Sequence, residues 1–123
     1  MTVRRIVANL HAPDPKAAQA FYGDLLGLDL AMDHGWIVTF ASDRQASVQI
    51  SIASEGGSGT PVPQLSIEVD NVDDVYEKAR TMGFAIIYDI TDEPWGVRRF
   101  YVRDPFGTIV NILSHGGGRR PSC

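Results

Sequence analysis

The sequence predicts an α+β fold made of two βαβββ modules. Three observations lead there. A strand, a capping residue, a helix and a glycine stop occur in that order from Arg4 and again from Gln64. Each helix is followed by three further strand-like segments. Between the halves lies ASEGGSGTP, residues 53–61, whose glycine and serine content marks a linker. The organisation expected is one domain over 1–123, with module 1 at 1–52, linker 53–62, module 2 at 63–115 and a flexible tail at 116–123.

The first strand is RRIVANL, 4–10. Asp14 can cap the following helix, KAAQAFYGDLL, Pro15 suits its first position, and Gly27 fits a left-handed stop. Strands are then expected at 28–32, 36–41 and 47–52. In the second half the strand is QLSIEV, 64–69, the cap is Asp70 or Asn71, the helix is VDDVYEKARTM, and Gly83 is the stop. Strands follow at 85–90, 97–103 and 108–114. Asp104-Pro105-Phe106-Gly107 reads as a type I turn with a glycine bulge, which pairs Val102 with Val110, Phe100 with Ile112 and Tyr101 with Asn111.

Side chains alternate along a strand, so each strand sorts its residues onto two faces. The apolar sets, Ile6/Ala8/Leu10, Val48/Ile50/Ile52 and Leu65/Ile67/Val69, are expected to face the helices. The other face then carries Arg5, Val7, Asn9, Gln49, Gln64, Ser66 and Glu68, joined by Arg99, Tyr101 and Asn111. One helix covering four strands is marginal by itself, so the modules should associate within the chain and across a homodimer.

Composition excludes several classes. A hydrophobic content of 44% places the chain among packed globular proteins and away from disorder. The net charge of −4 offers no phosphate-neutralising footprint, so no nucleic-acid partner is expected. No apolar run approaches the roughly 18 residues a membrane span needs. A single cysteine, Cys123, fits a reducing compartment, and a cytoplasmic location is expected.

The segments DPKAAQAFYGDLLGL, QLSIEVDNVDDVYEKARTMGF and EPWGVRRFYVRDPFG together resemble the vicinal oxygen chelate superfamily, the glyoxalase, bleomycin-resistance and extradiol dioxygenase group. The resemblance implies modules that curl into curved mixed sheets around a cleft, within a homodimer. It also implies that metal-dependent members hold a divalent ion at positions that fall here on Val7, Gln49, Gln64 and Asn111, with Ser51 the alternative to Gln49. Valine cannot coordinate, and neutral amides are poor substitutes for imidazole or carboxylate. No metal or other cofactor is therefore expected. WGVRRF followed by DPFG resembles most the metal-free branch, whose proteins bind and sequester a drug.

Ligand-binding residues expected on this basis are Val7, Asn9, Trp36, Phe40, Gln49, Gln64, Glu68, Trp95, Arg99, Tyr101 and Asn111. Trp36 and Phe40 also read as core, because they share a strand face with Val38. Glu68 is expected to pair with Arg5 or Arg99, and would be the general base if there were catalysis. His11, His34 and His115 have no ligand spacing and read as surface or turn residues. The expected partner is a small aromatic or antibiotic-like molecule, held for sequestration; the alternative is a metal-dependent lyase, isomerase or dioxygenase.

Overall fold

The computed structural model describes residues 2–42 and 49–115. It contains strands β1 (Val3–His11), β2 (Asp29–Asp33), β3 (Ile37–Ala41), β4 (Gln49–Ala53), β5 (Leu65–Val69), β6 (Ile86–Asp92), β7 (Val97–Arg103) and β8 (Ile109–His115), and one regular helix, α1 (Val72–Thr81). An irregular helical segment covers Pro15–Leu25. These elements are the βαβββ order twice, in an α+β arrangement of mixed sheets. The start of the strand expected at 47–52 and the tail at 116–123 lie outside the described residues. Among the described residues no helix is long and apolar enough to cross a membrane.

The chain divides into two compact units. The C-terminal unit comprises Met1–Ile6 with Pro63–Cys123, and the N-terminal unit comprises Val7–Val62. Strand β1 thus contributes its first residues to one unit and the rest to the other.

In the C-terminal unit the strands run in the order β1-β5-β8-β7-β6. β5 and β8 are parallel, and β8, β7 and β6 are antiparallel. The β7–β8 hairpin has the register the turn dictates, with Val102 opposite Val110, Tyr101 opposite Asn111 and Phe100 opposite Ile112. Gly107 sits at φ 87°, and Asp104 Oδ1 accepts from the N–H groups of Phe106 and Thr108, which locks the bulge. On the helix side, α1 packs Val72 and Ala79 against Val69, Phe100, Val110 and Ile112. Asn71 is the N-cap, accepting from the Asp74 N–H. Asp73 and Asp74 in the first turn and Lys78 and Arg80 in the last both favour the helix dipole. Ser114 links helix and sheet: its buried hydroxyl donates to the Val69 carbonyl and accepts from the Val72 N–H.

The N-terminal unit carries β2-β3-β4-β1, with β1 parallel to β4 and the other pairs antiparallel. Its core is Val38, Phe40 and Ile52, packed against Ala12, Ala18, Tyr22, Leu28 and Ile50. The helix expected after Asp14 departs from α geometry. Pro15–Ala18 is a tight 3₁₀ turn and Gln19–Leu25 a wide π-helical stretch. Asp14 has the extended backbone of a cap but its side chain makes no capping bond. The cause is local. The Gln19 amide turns across the face left open by Gly23 to donate to Asp24, and a Cβ on Gly23 would come within 2.0 Å of that amide nitrogen. Gly27, at φ 76°, ends the segment as expected.

One face assignment is corrected. Ile6, Ala8 and Leu10 do not lie beneath a helix: Ile6 is 53% and Leu10 45% exposed, and Ala8 is also exposed. Their alternation is real, but neither core cluster includes them, because each helical segment packs over other strands. Val7, on the reverse side of β1, is the buried residue.

Candidate functional site

The chemistry-bearing residues of the C-terminal unit lie on the face of its sheet away from α1. Strand register defines this face. Ser66 stands level with Asn111, and Asn111 with Tyr101. One rung further along, Glu68 stands level with Leu113, and Leu113 with Arg99. Alternation puts Gln64 and His115 on the same side.

Arg99 is the centre of this face. Its side chain is 4% exposed, and its Nε donates to Glu93 Oε2 at 2.7 Å, with the Glu93 side chain only 2% exposed. Tyr88 donates its hydroxyl to the same carboxylate oxygen at 2.8 Å. Arg99 Nη1 donates to the Tyr101 hydroxyl at 3.1 Å. The guanidinium also lies 5.2 Å from the centre of the Tyr88 ring and 5.0 Å from those of Trp95 and Tyr101. Such cation–π contacts strengthen when desolvated. Tyr101 itself is fully buried. The charge of Arg99 is therefore balanced by a buried carboxylate and enclosed by the rings of Tyr88, Trp95 and Tyr101.

Loop geometry positions the carboxylate. Glu93 follows β6, where its N–H donates to the Val97 carbonyl and its carbonyl accepts from the Gly96 N–H. Gly96 takes φ 94°, which lets the chain reverse directly after Trp95.

The amides have distinct fates. Gln64 is exposed, and its Oε1 accepts from the Ile109 N–H, so it serves to fasten β5 to the start of β8. Asn111 is buried; its Nδ2 donates to Ser66 Oγ at 3.1 Å, while its Oδ1 is buried with no hydrogen-bond partner among the described residues. Glu68 pairs with Arg5 at 2.6 Å, as one of the two expected partnerships required, and its other oxygen meets His115 Nδ1 at 2.8 Å. His115 is thus neither a surface nor a turn residue: its side chain is 9% exposed and bonded within the sheet face.

Val7, Asn9, Trp36, Phe40 and Gln49 belong to the N-terminal unit. Phe40 is core, packed near Tyr22, so its place among the ligand-binding residues is corrected in favour of the core reading. Trp36 precedes β3 and stacks on His34 at 6.2 Å. Val7, Asn9 and Gln49 alternate onto the opposite side from that core, beside a buried Ser51–Thr39 hydroxyl pair at 2.7 Å. Ser51, the alternative to Gln49, is thereby committed to Thr39.

Three participants escape a reading of the sequence: Glu93, Tyr88 and His115. Two irregularities in β6, at Ile86/Tyr88 and Tyr88/Thr91, shift its alternation, so neither Tyr88 nor the loop carboxylate is placed by counting. His115 extends β8 one residue past the expected end. The even spacing of Asn111, Leu113 and His115 was the available signal.

The family-implied metal positions do not suit a metal here. Val7 is apolar, Gln64 gives its carbonyl to a backbone N–H, and Asn111 offers a single neutral oxygen. Among the described residues no three His, Cys, Asp or Glu side chains are grouped to hold an ion.

Comparison with known proteins agrees with this fold. The family model described as Glyoxalase/Bleomycin resistance protein/Dioxygenase superfamily matches residues 5–112. A Legionella pneumophila protein described as NAD-dependent benzaldehyde dehydrogenase shares 18% identity, with 89% of this chain and 98% of that chain covered and a TM-score of 0.70. A superfamily member from Vibrio splendidus 12B01 shares 18%, covering 92% and 99%, at a TM-score of 0.62. Methylmalonyl-CoA epimerase from Mycobacterium tuberculosis shares 16%, covering 98% and 88%, at 0.64. At these identities the structures establish the fold alone. No curated protein matches the chain significantly.

Proposed function

The chain belongs to the glyoxalase/bleomycin resistance protein/dioxygenase superfamily, and from that membership we propose that it is a metal-free binding protein that sequesters an uncharged aromatic or antibiotic-like molecule, working as a homodimer. The observation that carries this reading is the donor set. Where an electrophilic metal would need imidazoles or carboxylates, the chain has valine and amides, and the Gln64 carbonyl is already hydrogen-bonded to the backbone. A Lewis acid polarises a carbonyl or activates a bound oxygen, a role that an amide dipole cannot fill.

The remaining residues favour holding a neutral molecule. Arg99 is neutralised by Glu93, and Arg5 by Glu68. A charged ligand would have to break one of these pairs or remain unmatched. The partly exposed rings of Tyr88 and Trp95 supply stacking surface, worth about 0.5–1.5 kcal/mol per contact beyond burial. Drugs of the bleomycin type are cationic and do not suit such a surface.

Titration of a panel of planar antibiotics against the purified protein, followed by tryptophan fluorescence, tests the proposal. A saturable change that is lost in Trp95→Phe is expected; no response across the panel overturns it. Elemental analysis of untagged protein purified without chelators provides the complementary check. Stoichiometric nickel, zinc, manganese or iron would transfer the chain to the metal-dependent lyase, isomerase or dioxygenase reading.

A further inference from the structure

A second group of titratable side chains lies in the C-terminal unit, on the face of its sheet away from α1. Glu68 of β5 receives Arg5 Nε of β1 on Oε1 at 2.6 Å and meets His115 Nδ1 of β8 through Oε2 at 2.8 Å. An ionised carboxylate can only accept, so the Nδ1 of a neutral His115 carries the proton and Nε2 keeps its lone pair. Glu68 thus selects the tautomer, and Arg5 supplies the countercharge that holds Glu68 in place.

Nε2 reaches the surface. Among the described residues it has no partner, yet it is not one of their buried unpaired atoms, of which Asn111 Oδ1 is the one example. The side chain keeps 9% of its surface exposed. An aromatic ring lies close along the chain: Val97 stands directly opposite His115, and two residues before it is the partly exposed Trp95, whose ring lies over Arg99 on this same face.

We propose that His115 is a general base: Nε2 takes a proton from an aromatic molecule resting beside Trp95, with Glu68 and Arg5 as positioning residues that hold the imidazole in its base form and stabilise the imidazolium produced. The carboxylate–imidazole arrangement serves that purpose in unrelated hydrolases. Substrates of this class are ring-borne carbon acids, whose C–H bond is weakened by an adjacent electron-withdrawing group, and the reaction is elimination or isomerisation. The inference goes beyond sequestration and does not rest on it.

The probe is 5-nitrobenzisoxazole. His115 Nε2 takes the proton from the ring C–H next to nitrogen, that electron pair becomes the second π bond of a nitrile, the N–O bond breaks, and a coloured phenolate leaves with its electrons; the imidazolium then returns the proton to water. Wild-type protein should show saturable turnover above buffer that falls toward acid pH, because an imidazolium has no lone pair to give. His115→Gln should lower it about a hundred-fold, whereas His11→Gln, at an exposed imidazole, should leave it unchanged. Glu68→Gln should lower kcat by about ten- to a hundred-fold with KM little altered, which loss of a merely structural clip would not produce. Diethyl pyrocarbonate gives a readout independent of substrate fit: mass spectrometry should find His115 acylated, and more slowly in Glu68→Gln, with folding of every variant checked by circular dichroism. No turnover in the wild type, turnover unaffected by His115→Gln, or a His115 that resists acylation each overturns the proposal. A silent antibiotic panel with turnover intact removes sequestration alone, and saturable drug binding without turnover removes this inference alone.

Discussion

The C-terminal unit keeps an arginine and a glutamate inside, whereas the helical segment of the N-terminal unit leaves Phe21 and Leu25, and the adjoining Leu26, more than half exposed. Their helices differ in the same sense. α1 is capped by Asn71, has charges suited to its dipole, and packs Val72 and Ala79 into a core centred on Phe100. The segment Pro15–Leu25 has no side-chain cap, changes pitch midway and places only Ala18 and Tyr22 against its core. Similar sequence grammar thus produces a regular helix where capping, packing and electrostatics agree, and an irregular one where they do not. The buried Arg99–Glu93 ion pair lies in the unit with the better-formed helix, and fixed surroundings keep the hydrogen bonds of such a pair made.

The most severe way to break this contrast is Arg99→Met. It removes the countercharge and the Nε donor of the buried Glu93 carboxylate, and should cost about 3–5 kcal/mol in chemical denaturation. Leu25→Gln, at a residue far more apolar, should change stability by less than about 0.5 kcal/mol because its side chain is already in water. Comparable losses from the two would show that the units do not differ as described.

Capping sharpens the comparison at a smaller scale. Asn71→Ala removes the acceptor for the Asp74 N–H and should cost about 1 kcal/mol. Asp14→Ala removes no capping bond and should be neutral within about 0.5 kcal/mol. A substantial loss at Asp14 would mean that the first segment depends on a cap after all.

The smallest expected effect is a pH dependence within the C-terminal unit. The Thr2 N–H donated to Asp70 holds that carboxyl below its ordinary value of 3.8. A depressed carboxylate adds stability above its unfolded value and loses it as pH falls through the lower, folded one. Denaturation curves between about pH 5 and pH 2 should therefore show a fall that Asp70→Asn reduces, as the start of β1 loosens from β5. Tyr76 acts at the other extreme: its bond to Asp89 raises the phenol above 10.0, so its contribution is complete below that pH and declines as the solution becomes more alkaline. A profile unchanged by Asp70→Asn would remove the link between Thr2 and the sheet as a source of stability.

Much of the fold was legible because its signals are local. The Asp104–Gly107 turn specifies the β7–β8 register, and that register carries Tyr101, Arg99 and Asn111 to a common face. The site was legible only to the extent that alternation held. Asn111, Gln64 and Glu68 fell where counting put them, but Glu93 and Tyr88 were hidden by the β6 irregularities, and Phe40 faced the core instead of a ligand.

Taken alone, the residue order determined the strands, the capped helix α1 and the glycine stops, since each follows from conformational preferences within a few neighbouring residues. Tertiary structure decided that Arg99 would find Glu93, that His115 would meet Glu68, and that Ile6 and Leu10 would stay uncovered. Those outcomes depend on which groups packing brings within a few ångströms, and hydrogen-bond and burial energies fall away too steeply with distance for spacing along the chain to anticipate them.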